Sequence, residues 1–167
     1  MASELEKLVE HLKKMHGIDL ADVLRGTHAE CAMRVASFTN ETLEIALKLK
    51  LHAEKKLVNN GMFKGDGPFA TLEKRIDAAH DRKLIDDVTH ADAHLVRRIR
   101  NEFAHEKEKL HFNNSKIAAL AKQLSTYEAA GSNQDAFLKA AGNVSDQATK
   151  AVKALREKPV QAEPKAH

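Results

Sequence analysis

The stretch HLVRRIRNEFAH, His94 to His105, reads as a helix with two opposite faces. At about 100° per residue, Leu95, Val96, Ile99 and Phe103, with Leu110 beyond them, fall within one arc. That arc is the expected core face. Asn101 and His105, four residues apart, point nearly the opposite way, with His94 in their sector, Arg97 and Ala104 flanking it, and Arg100 at its boundary. Thr89 with Asp92 offers a capping box upstream and Asn113-Asn114 a stop downstream, so the helix is expected to run to about Leu110. Taken alone, the polar face is ordinary solvated helix surface, where exposed charge pairs contribute little.

Outward from this helix the same periodicity recurs. Ser3 with Glu6 caps an amphipathic run of Leu5, Leu8, Val9, Leu12 and Met15 that ends at Gly17. From His28 to Leu57 a long helix is expected, with Ala32, Val35, Phe38, Thr39, Thr42, Leu43, Ala46 and Leu49 inward and Arg34, Asn40, Glu41, Glu44 and Lys48 on a solvated face. The segment Asn59 to Ala70, NNGMFKGDGPFA, reads as a loop with Pro68 in the first turn of the next helix. Its lysine is not followed by Ser or Thr in the phosphate-binding pattern, so it is no P-loop. Phe69, Leu72, Ile76, Ala79 and Leu84 mark that next helix, Ile117, Leu120, Ala121, Leu124 and Tyr127 another, and Phe137 to Leu155 an Ala-rich last one.

The fold class expected is therefore all-α, a multi-helix bundle. Residues 1–130 are expected to form a helical core domain, residues 131–158 a C-terminal amphipathic helix packing on the core or on a partner, and residues 159–167 a disordered tail. A chain ended at Gly131 should on this reading keep a folded core.

Composition agrees. The 167 residues are 43% hydrophobic and 31% charged, with only 4% aromatic and no Trp, which suits helix packing through Leu, Ile, Val and Ala. The net charge of +3 arises from 27 basic and 24 acidic residues interleaved along the chain, and gives no global nucleic-acid footprint. A single cysteine, Cys31, excludes an intrachain disulfide and a complete Cys-based zinc site, and is expected to be a packed hydrophobe. No secretory leader or membrane-length apolar run is visible, so a cytoplasmic protein is expected.

Arg100-Asn101-x-x-x-His105 matches the R-x4-H motif of the HEPN helical superfamily, which it resembles. CAMRVASFTNETLEIAL, FKGDGPFATLEKRIDAAHDRKLIDD and LVRRIRNEFAH, in that order, resemble the mannitol operon repressor family over about Glu30 to His111, roughly half the chain. The sequence departs where that family tends to have a Gly-Leu-Ile turn after the second block and this chain has Arg82-Lys83-Leu84-Ile85. The resemblance implies a HEPN-like bundle and a non-enzymatic regulator of sugar uptake, acting in transcriptional control through a protein partner. No helix-turn-helix or basic arm supports direct DNA binding.

The alternative is a metal-independent endoribonuclease. On that reading Arg100 would neutralise the scissile phosphate, His105 would act as general base or acid, and Asn101 would orient either. One histidine does not readily serve both ends of an in-line displacement, so two motifs facing across a homodimer are expected, with Arg97, Arg100, Asn101 and His105 on the binding or dimer face. No cofactor is implied. His90 and His94 have the i, i+4 spacing of a helix-borne metal pair, but no third ligand is identifiable, and no metal site is expected.

Overall fold

The computed structural model describes residue 14, residues 26–105 and residues 109–157. The run Leu5 to Met15, Lys14 apart, and the tail from Pro159 lie outside the described residues. Those residues form helices α1 (His28–Ala53), α2 (Leu72–Asp81), α3 (Asp87–His105), α4 (Ser115–Ala121) and α5 (Asn133–Glu157), with one 3-10 turn at Asn60–Phe63. No strand occurs among them, and the all-α class stands.

α1 begins at a capping box: Thr27 accepts from the Glu30 amide, and the Glu30 carboxylate accepts from the Thr27 amide at 2.7 Å. It stops at Ala53, short of the expected Leu57. Lys55 takes a left-handed φ of 57°, its amide bonds to the His52 carbonyl, and the Lys56 amide reaches back to Leu51. The same Schellman closure ends α2, with Lys83 at φ 59° and the Lys83 and Leu84 amides donating to His80 and Ala79. Leu84 is buried there. Position 83 is thus a left-handed turn in which glycine would be free of the Cβ penalty.

α2 starts later than the sequence suggests. Its N-cap is Thr71, and Pro68 sits in the preceding turn rather than in the first helical turn. The loop before it is packed: Phe63 and Phe69 are buried with ring centroids 5.2 Å apart, and a Cβ on Gly67 would strike the carbonyls of Gly61 and Met62. α3 is capped by Asp86, which accepts from the Thr89 amide at 2.8 Å, and not by a Thr89-Asp92 box. Thr89 and Asp92 are buried instead, and Asp92 accepts from the Ser125 amide at 2.9 Å and from its hydroxyl. Lys109 to His111 are not helical, so the run to Leu110 does not hold.

Among the described residues the core consists of two clusters, and α1, α3 and α5 contribute to both. Val35, Phe38, Val96, Ile99, Phe103, Phe112, Ile117 and Phe137 belong to one; Leu43, Leu47, Phe63, Ile76, Leu84, Val144 and Ala148 belong to the other. Leu95, Ile99 and Phe103 are buried as the phase of the helix requires, and Cys31 is buried too, its thiol pushed up by burial. α5 packs on the body, against α1, α3 and α4. Gln147 on α5 exchanges a reciprocal pair of bonds with Asp86, 3.0 Å from the Asp86 amide and 2.8 Å to its carboxylate.

Candidate functional site

The polar face of α3 forms one wall of a cleft of about 370 Å³. Arg97, Arg100 and Asn101 line it from α3, Ala36, Ser37 and Asn40 from α1, and Thr71, Leu72 and Glu73 from the start of α2. The structure therefore brings together three of the four residues expected on this face. His105 does not join them: it is exposed at the end of α3, outside the lining.

Inside the cleft the two arginines differ. Arg97 is neutralised by Glu73 across the helix pair, Nη2 to Oε1 at 3.1 Å. Arg100 donates to the Asn101 side-chain carbonyl at 3.0 Å. Among the described residues no carboxylate pairs with Arg100, so the cleft keeps one guanidinium whose charge is not cancelled locally. Its fork of donors suits a carboxylate or phosphate on another molecule.

Asn40, one of the lining residues, is held by a residue that periodicity alone does not find. Arg75 is 5% exposed and donates to the Phe69 carbonyl (2.8 Å), the Phe63 carbonyl (3.2 Å) and Asn40 (2.8 Å), while its Nη2 lies 2.9 Å from Glu44. Asn40, Glu44 and Lys48 are accordingly only partly exposed, which corrects the solvated face expected for them. Lys48 bonds Glu44 at 2.6 Å and holds its carboxyl below the usual range, with Arg75 adding to the effect. Lys48 also lies over the Phe63 ring, 4.9 Å from its centroid.

Beyond Arg97, α2 and α3 continue to meet through polar side chains. Asp77 on α2 receives the Nε2 atoms of both His90 and His94, each at 2.8 Å, and the two nitrogens are 3.2 Å apart. These bonds, that from His90 first, hold the Asp77 carboxyl below its ordinary value. The third partner for the His90-His94 pair, not identifiable from the sequence, is thus Asp77. No spacing rule points to it, since it arrives from a different helix.

An all-α bundle with an arginine- and asparagine-lined cleft between three of its helices is the class these observations define. Its fold is similar to that of a chain in the X-ray structure of the MtlR-HPr complex from Escherichia coli, with a TM-score of 0.55 over 86% of this chain and 96% of that one, at 14% sequence identity. At that identity the likeness is one of fold. No family model matches the sequence, and no curated protein matches it. No helix among the described residues is long and apolar enough to cross a membrane.

Proposed function

We propose that this protein is a regulator of the mannitol-repressor type, acting in the transcriptional control of sugar uptake by binding another protein at the cleft between α1, α2 and α3. The observation that carries the reading is the fold likeness to a chain of the MtlR-HPr complex, which spans most of both chains. The order of the three sequence blocks that resemble mannitol operon repressors supports it, and so does the uncancelled Arg100 in the cleft. HPr of the same organism is the partner to try first. Calorimetric titration of HPr into the purified full chain should give saturable binding that weakens with salt, as an arginine-led contact does. Failure to bind would refute the partner.

The ribonuclease reading has one favouring observation, the Arg100-Asn101 bond at the head of the R-x4-H motif. Incubation with single-stranded RNA in EDTA separates the two. RNA that stays intact supports the regulator, whereas cleavage lost in His105→Ala supports the enzyme. We extend the proposal to a homodimer whose axis lies near the exposed His105 end of α3. Light scattering across a dilution series should give twice the 18.5 kDa chain mass, and His105→Glu should lower it.

A further inference from the structure

We propose that Asp77, His90 and His94 form a binding site for one divalent transition-metal ion of the imidazole-preferring class, with zinc as the working example, which ties α2 to α3 beside the cleft. The proposal stands apart from the regulatory reading. Among the described residues, these three offer ligand atoms that all lie within 4.8 Å of one another. His90 and His94 are one turn apart on α3 and present both Nε2 atoms to the same side, while Asp77 supplies a carboxylate oxygen from the facing helix.

The distances suit an ion. Two ligand atoms bound at about 2.0–2.1 Å and spread at a tetrahedral angle lie about 3.3 Å apart. The two nitrogens are already 3.2 Å apart, and the Asp77 oxygen, 2.8 Å from each, needs to withdraw by only about half an ångström. Both imidazole nitrogens and the carboxylate oxygen converge on one point, where a shared cation would sit among all three. Nitrogen donors favour zinc, nickel, cobalt or copper over magnesium and calcium. The Asp77 side chain is 53% exposed, so further coordination positions would face water.

The surroundings hold the ligands in place. His80, three residues after Asp77, stacks on the His90 ring at 4.3 Å between centroids and is itself bonded to Asp87 at 2.7 Å. One turn before Asp77, Glu73 pairs with Arg97. The bound ion would thus add a rung next to the ion pair that borders the cleft.

The test uses the full chain stripped of metal by chelation. Zinc chloride should bind at one ion per chain by calorimetry and raise the melting temperature by about 5 °C or more at saturation. Cobalt(II) substitution should give visible absorption, and the imidazole NMR signals of His90 and His94 should move. Asp77→Asn and His94→Gln should each weaken zinc binding by about tenfold or more, whereas His28→Gln, at the start of α1 where its ring meets that of His111 at 5.0 Å between centroids, should not. No zinc-dependent melting shift, or a shift kept in full by folded Asp77→Asn and His94→Gln, would overturn the site. If Asp77→Asn fails to fold, His94→Gln and the wild-type NMR shifts decide.

Discussion

Lys83 holds a backbone conformation, φ 59°, that costs an L-residue about 1–2 kcal/mol relative to the right-handed region. Lys83→Gly should therefore stabilise the fold by about 1 kcal/mol in urea denaturation; an unchanged or lower stability would contradict the turn. Arg75 is the opposite case. It satisfies two loop carbonyls and two side chains of α1 while buried, so Arg75→Met should cost about 3 kcal/mol by leaving the Phe63 and Phe69 carbonyls and Asn40 without their donor, while Glu44 keeps Lys48. A loss no larger than that of a surface substitution would show that these contacts are weak. His28 gives a pH signature. Its Nδ1 accepts from the Phe112 amide at 3.0 Å, and burial, with the neighbouring His111 charge, lowers its pKa. The unfolded chain then takes up a proton near 6.5 that the folded ring resists, so this contribution to stability is present above the unfolded value and fades as pH falls through the folded one. His28→Gln should flatten that part of the stability profile, and an identical profile would show that His28 makes no such contribution. The burial of Ile99 and Phe103 was legible in the sequence because both lie on one helical arc. Arg75 was not, because its partner Asn40 is 35 residues away and nothing local signals the meeting.

Elements divide in the same way. α1, α3 and α5 announce themselves through long periodic runs, while their ends depend on backbone geometry that composition does not carry. A left-handed lysine closes α1, and Asp86 rather than Thr89 opens α3. α5 shows what periodicity leaves unsaid about partners: its stripe predicts burial but not where. In the fold, Phe137, Leu138 and Val144 are almost fully buried, in both core clusters, and Gln147 is bonded to the α3 cap. A chain ended at Gly131 would uncover the inner faces of α1 and α3 together. We therefore predict, against the expectation from sequence, that this truncation gives an insoluble or molten product by near-ultraviolet circular dichroism and NMR dispersion; a cooperative, well-dispersed fragment would show that residues 1–130 are a self-sufficient core.

For the whole molecule, the cleft is where the sequence reading and the fold converge. The helical phase placed Arg97, Arg100 and Asn101 on one face, but the second and third walls come from Ser37, Asn40 and Glu73, far along the chain, and only the packing of α1 and α2 on α3 reveals the cleft. His105, which spacing groups with Arg100, lies outside the lining of the cleft. We propose that this cleft binds a protein partner through Arg100. The direct measurement is calorimetric titration of HPr into three full-length forms: wild type, Arg100→Glu and Lys153→Glu, the last an exposed position on α5. We predict binding by wild type and Lys153→Glu and a loss of about tenfold or more in Arg100→Glu, the scale of removing a charged hydrogen-bonded contact. Equal binding by all three forms, or none by the wild type, would contradict it.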